Sequence, residues 1–142
     1  MIRVVAVFLA FALGFAALPA AADSLSEPDR TAIQGLITGQ INAFQKDDGA
    51  TAYGLAAPSI HSIFPTVEMF MEMVKTGYLP VYRPQSVTFG ELVDTAFGPV
   101  QKVYLTGPDG LGYVAIYSME READGTWKIS GCTILKDDRP SI

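Results

Sequence analysis

Two hydrophobic periods divide the chain, and they meet near residue 78. Ser26-Glu27-Pro28-Asp29 has the makings of a helix start: a capping hydroxyl, a proline in the first turn and acids at the positive end of the dipole. Ile33, Leu36, Ile37, Ile41 and Phe44 then recur at helical spacing, with Gln40 at the i+7 place of the same stripe. Lys46-Asp47-Asp48-Gly49 ends this helix, and Asp48 caps a short second one predicted to run through Ala57. Pro58 opens a third turn carrying Ile60, Ile63 and Phe64. Thr66 caps a fourth helix with Met69, Phe70, Met73 and Val74, stopped by Gly77.

From Tyr78 onward the period becomes two. Val87, Phe89 and Val93 alternate with Thr88, Gly90 and Asp94, and strands over 101–106 and 112–121 flank a hairpin turn at Gly107-Pro108-Asp109-Gly110. Ala123-Asp124-Gly125 turns into a last strand over 126–135. Its pattern puts Trp127, Ile129, Gly131, Thr133 and Leu135 on one face, with Ser130, Cys132 and Ile134 on the other. Helices first and an antiparallel meander afterwards predict an α+β fold, with N-terminal helices packed on one face of the sheet. The residues after the last strand, 137–142, look like a loose tail.

Composition changes the picture at the N-terminus. Met1-Ile2-Arg3 precedes an uncharged apolar run that ends Leu18-Pro19-Ala20-Ala21-Ala22 before the first acid, Asp23. A charged start, an apolar middle and an A-x-A site form a secretory signal, cleaved between Ala22 and Asp23. Residues 1–22 are then a leader and residues 23–142 a single domain, periplasmic or secreted, with no membrane attachment after cleavage. The competing reading is a retained anchor, since 4–22 nearly reaches the ~20 residues of a spanning helix. Pro19 and the alanine-rich end suit a protease-accessible segment better. No cysteine stands at the cleavage site to carry a lipid, and no Arg-Arg pair is present.

The remaining 120 residues carry 9 basic and 15 acidic side chains, a net charge of −6. That argues against nucleic acid and anionic membrane as partners. A single cysteine, Cys132, cannot make an internal disulfide, so stability must come from packing.

Several stretches resemble one bacterial family. They are Ile41-Asn42-Ala43-Phe44-Gln45-Lys46-Asp47-Asp48, Ala52-Tyr53-Gly54-Leu55-Ala56-Ala57-Pro58, Tyr78-Leu79-Pro80-Val81-Tyr82-Arg83-Pro84 and Val87-Thr88-Phe89-Gly90. Asp124-Gly125-Thr126-Trp127-Lys128-Ile129-Ser130-Gly131-Cys132 closes the series, with Phe70 and Met73-Val74 between. In this order they resemble the domain-of-unknown-function family 4864 over nearly all of residues 23–142. The family is similar to the nuclear-transport-factor-2-like, or cystatin-like, α+β cone. The resemblance implies helices closing one side of a curved sheet and no particular activity, because relatives of that fold include isomerases, dehydratases and non-catalytic modules.

Candidate chemistry is sparse. His61 is the sole histidine and has no visible orienting partner, so a structural or surface role is the simpler account. Asp47-Asp48 at a helix junction fits capping better than metal binding, and one His with one Cys supplies no zinc set. Gly110-Leu111-Gly112-Tyr113-Val114-Ala115 matches a dinucleotide glycine pattern in letters only, since it leads from a turn into a strand. There is no G-x-S-x-G elbow, and no cofactor motif survives. Cys132 lacks a flanking Cys or His to activate it and fits a buried small hydrophobe.

What remains is Gln40, a glutamine inside an apolar stripe, and the amphipathic tyrosines. Gln40, Tyr53, Tyr78, Tyr82, Arg83 and Gln101 are the candidate lining of a ligand pocket; Tyr104, Tyr113 and Tyr117 share the same chemistry. The favoured expectation is a non-catalytic exported domain that binds a small apolar or amphipathic ligand or a protein partner. One alternative is a cofactor-free isomerase or hydrolase using a pocket acid or His61 with tyrosines, although the pattern does not place the strand acids Glu91 and Asp94 in a pocket. Another is a homodimeric interaction module, because Val114 and Ile116 oppose Tyr113, Ala115, Tyr117 and Met119, and Cys132 and Ile134 oppose Trp127.

Overall fold

The computed structural model describes residues 25–139; residues 1–24, with the expected cleavage site at Ala22 and Asp23, lie outside the described residues, as do residues 140–142. Helix α1 (Glu27–Gln45) starts where Ser26 Oγ accepts from the Asp29 amide. Its stripe buries Ile33, Ile37, Ile41 and Phe44, each worth about 1.5–3 kcal/mol of gross transfer free energy. The helix stops in a left-handed cap. Asp47 sits at φ 55°, while the Asp48 and Asp47 amides donate back to Ala43 O and Phe44 O at 2.8 and 3.0 Å.

Asp48 caps α2 (Gly49–Gly54) by accepting from Thr51 N. This helix ends before the expected Ala57 because the chain leaves it to pair with the sheet. Leu55 O accepts from Ile129 N at 3.0 Å, and Ala57 N donates to Ile129 O at 2.8 Å. Pro58 then opens α3 (Pro58–Ile63), and Thr66 caps α4 (Val67–Gly77) through Met69 N. Where alternation was expected from Tyr78, a further short helix intervenes, α5 (Leu79–Tyr82). Val81 and Tyr82 are buried there on adjacent positions, which a half-exposed strand would not allow.

Four strands follow: β1 (Ser86–Thr95), β2 (Gly98–Thr106), β3 (Gly112–Arg121) and β4 (Trp127–Lys136). They form one antiparallel sheet in the order β1-β2-β3-β4. The first hairpin turns at Ala96-Phe97, with Gly98 at φ +107° taking a conformation that side-chain-bearing residues rarely adopt. The helices pack against one face of this curved sheet, where Val103, Leu105, Ala115, Met119 and Ile129 are buried.

Two bulges correct the simple alternation. In β1 the register shifts between Phe89 and Leu92, so Leu92 points into the core and Val93 stands 53% exposed. In β4 the partners pass from Ser118↔Gly131 to Met119↔Ile129, leaving Ser130 as the extra residue. A one-residue insertion reverses parity beyond it. Cys132, paired with Tyr117, and Ile134, paired with Ala115, therefore share the helix-facing side with Ile129 and Trp127 instead of opposing them.

The two ends of the sheet are tied down. Trp127 Nε1 donates to Asp29 Oδ1 at 3.2 Å, and Arg121 stacks over the indole while pairing with Asp29 Oδ2 at 2.9 Å. At the other end the expected loose tail is anchored as far as it is described. Asp137 N donates to Gly112 O, and the Arg139 guanidinium lies 4.0 Å from the centre of the Tyr104 ring.

Candidate functional site

An apolar cavity of about 320 Å³ lies between the helices and the β3–β4 half of the sheet. Its position follows from the local chain path. The Ala56–Ile129 bridge holds the α2–α3 connection against β4, and the bulge at Ser130 bends that strand immediately beyond. Gly131 lines the wall there with its backbone, since its pairing with Ser118 turns its Cα substituent to the far face of the sheet. From α1 come Gln40 and Phe44, and from α4 come Phe70, Met73 and Val74. Ile60 and Ile63 of α3 form the outer rim, where Ile63 is 65% exposed and the cavity is partly open.

Four polar-bearing side chains reach this apolar space: Gln40, Tyr78, Tyr117 and Cys132. Gln40 is buried and donates Nε2–H to Ala52 O at 3.0 Å. Tyr117 is 1% exposed, and its Oη is buried without a hydrogen-bond partner among the described residues. The Cys132 thiol is its polar neighbour, lying close enough to influence its titration but not in hydrogen-bonding geometry. Burial first, then the nearby thiol, holds the Tyr117 phenol well above its ordinary range. Burial also pushes the Cys132 thiol up to about 12, although the residue as a whole keeps part of its surface exposed. Both groups are therefore uncharged at neutral pH. Tyr78 is shifted upward too, by burial and then by Cys132.

The structure separates the six candidate pocket residues. Gln40 and Tyr78 line the cavity. Tyr53 stands behind its wall: its Oη donates to Phe64 O at 2.6 Å, and its ring stacks on His61 at 3.9 Å between centroids. His61 Nε2 lies 2.7 Å from Tyr53 O, so the sole histidine braces α3 against α2. Tyr82 and Arg83 belong to a different cluster, at the C-terminus of α1. Tyr82 Oη donates to Asp47, while Arg83 donates to Phe44 O at 2.6 Å and pairs with Asp47 at 2.9 Å. Since α1 has no basic residue in its last turn, Arg83 supplies the cation its dipole favours there. These bonds, from Tyr82 first and then Arg83, hold the Asp47 carboxyl below its usual range.

Gln101 is fully buried away from the cavity. Its Nε2 donates to Lys102 O, Gly90 O and Glu91 O at 2.7, 3.0 and 3.3 Å, and its Oε1 accepts from Gln34. Tyr104 lies on the opposite sheet face beneath Arg139, and Tyr113 Oη bonds Asp109 in the hairpin. Tyr117 and Cys132 form the cavity's polar pair; the sequence marks Tyr117 only as one tyrosine among six and Cys132 only as a buried small residue. The signal for Tyr117 was its parity with Ala115 and Met119; that for Cys132 was hidden by the bulge.

Among the described residues, no group of three or more His, Cys, Asp or Glu side chains is placed to hold a metal ion. No Asp, Glu or His lines the cavity. The arrangement is that of an α+β domain with an uncharged, largely apolar cavity between its helical layer and its sheet. Residues 26–142 match the Domain of unknown function family DUF4864, and the chain belongs to that family. No curated protein and no solved structure matches the chain.

Proposed function

We propose that this is an exported, non-catalytic binding domain whose cavity holds a small apolar or amphipathic ligand. The carrying observation is the cavity itself, apolar on most sides, open past Ile63 and fitted with a few polar groups. Its volume stands at the small end of ligand pockets. The isomerase or hydrolase alternative needs a base among the lining residues, and neither a carboxylate nor His61 is there. Helices on one face of a curved meander support grouping the domain with the nuclear-transport-factor-2-like cone. The apolar leader supports export, for which Asp23 at the N-terminus of the recovered protein is the expected mass-spectrometric result.

Titration with naphthalene, an uncharged probe of ten carbons, tests the ligand reading. Saturable methyl shifts are expected at Ile60, Met73 and Val74, with none at Val93 or Leu135 on the far sheet face. Absence of saturable shifts at the cavity methyls rejects it. A second reading has one observation in its favour. Val93 and Leu135 are more than half exposed on the sheet face away from the helices, where Val114 and Ile116 also lie. That supports a homodimer through this face. Light scattering at micromolar concentration is expected to give twice the chain mass, and Ile116→Lys to halve it; a monomeric wild type ends this reading.

A further inference from the structure

We propose that the cavity selects a neutral amphiphile of about ten non-hydrogen atoms, bearing one carbonyl or hydroxyl oxygen, and that the Tyr117 phenol is the hydrogen-bonding anchor for that oxygen. This deepens the ligand-binding reading above and rests on it. Tyr117 is the only side chain among the described residues with a buried polar atom left unpartnered, and its hydroxyl belongs to a residue that lines the cavity. Buried polar groups are satisfied in the great majority of folded proteins, so an orphan at a cavity wall points to a partner that comes from outside the chain. The volume, about 320 Å³, divided by the ~30 Å³ that a water-sized atom occupies in a liquid, sets the ligand's size.

The ligand's charge follows from what surrounds the anchor. No Lys, Arg or His lines the cavity, so a carboxylate or phosphate carried inside would be an unpaired buried charge. Burial keeps the phenol protonated and hence always able to donate. At the rim, Phe64 and Met73 continue into a shallow groove bordered by Glu68 and Glu72, so an incoming anion meets like charge before it reaches the opening. Polarity along the ligand follows as well. Tyr117 is on an inner strand of the sheet, and the exposed Ile63 marks the mouth. The oxygen therefore enters first, and the apolar body fills the space between Phe44, Ile60, Met73 and Val74 behind it.

The test uses protein produced from the full 142-residue sequence, its Tyr117→Phe variant and three probes: nonane, 2-nonanone and nonanoate at pH 8. Affinities are read by displacement of naphthalene or by the cavity methyl shifts. Tyr117→Phe is expected to weaken 2-nonanone about fivefold, the factor that one net hydrogen bond supplies, and to leave nonane within about twofold. Nonanoate is expected to bind at least tenfold more weakly than the ketone. Should the ketone lose nothing in Tyr117→Phe while both uncharged probes bind, the anchor is wrong and the ligand reading survives. Should no probe bind saturably, both fall together. Nonanoate binding as tightly as the ketone overturns the neutral-ligand assignment. If the substitution weakens both uncharged probes equally, the carbonyl infrared stretch of 2-nonanone bound to wild type decides. A frequency below that in alkane solvent upholds the anchor, and an unshifted one overturns it.

Discussion

Gln101 and Tyr117 are partners across β2 and β3, side by side on the same buried sheet face, yet their polar atoms meet opposite fates. Gln101 is saturated. Its amide donates to Lys102 O and to Gly90 O and Glu91 O, the two carbonyls at the β1 bulge, and accepts from Gln34 on α1. Tyr117 Oη has no partner among the described residues. The difference is one of surroundings. On the β1 side, an extra residue in the strand leaves carbonyls turned toward the core, and a glutamine meets them. On the β4 side, the bulge lies beside the cavity, and nothing among the described residues meets the buried phenol oxygen. One bulge is closed by the chain itself, and the other leaves room for something else.

The largest effect expected from breaking this comparison is at Gln101. Gln101→Leu keeps the volume but takes the side-chain donor from three strand carbonyls and the acceptor from the Gln34 amide. A loss of about 3 kcal/mol is expected in urea unfolding, within the usual cost of orphaning buried polar groups. The midpoint should fall with the slope unchanged. A loss below about 0.5 kcal/mol would mean that the bulge holds its shape without the glutamine.

Gln40 lies between the two cases, with its amide donating to Ala52 O and its side chain in the cavity lining. Gln40→Leu is expected to cost about 1 kcal/mol, because the buried Ala52 carbonyl loses the shorter of its two bonds and keeps only the Leu55 amide. Naphthalene affinity should change along with stability, since Gln40 is part of the lining. A stability loss of this size with unchanged affinity would assign Gln40 wholly to the core and confine the cavity's polarity to Tyr78, Tyr117 and Cys132.

The alkaline limb sharpens the cavity side. Cys132 titrates at about 12 in the folded chain against an ordinary 9.0. Below pH 9 both folded and unfolded chains hold this proton, so its contribution is fully present; as pH rises toward 12 the unfolded chain releases it first and stability falls. At pH 9.5 the loss is expected to be under about 1 kcal/mol. Cys132→Ala should flatten that part of the profile in thermal unfolding scans; an unchanged slope would place the thiol in contact with water.

How much of this was legible depends on the range of the interaction. The caps at Ser26, Asp48 and Thr66, the proline start at Pro58 and the Gly107-Pro108-Asp109-Gly110 hairpin are local chemistry, and the structure has each where the residues imply it. Gln40 reaches the cavity because its stripe faces the core, which periodicity alone predicts. The two bulges were not legible. A strand's faces follow from parity only while no residue is inserted, and the insertion is decided by the partner strand. Hence Val93 was expected with Phe89 and turned outward, while Cys132 and Ile134 were expected outside and turned inward. Tyr82 and Arg83 were misplaced for a similar reason: their partners, Asp47 and Phe44, are more than thirty residues away, on the end of α1.

The smallest expected effect is at the other member of the pair. Tyr117→Phe removes a hydroxyl that makes no hydrogen bond and leaves every ring contact in place. Deleting an unpartnered buried polar atom is near neutral or mildly stabilising, so unfolding free energy should stay within about 0.5 kcal/mol of wild type. The contrast with Gln101→Leu, at the facing position on the next strand, is then a direct reading of a saturated against an unpartnered polar group. A loss above about 1 kcal/mol in Tyr117→Phe would show that the phenol is already satisfied in solution, by an ordered water for instance. The two bulges would then differ in which partner closes them, and no longer in whether they are closed.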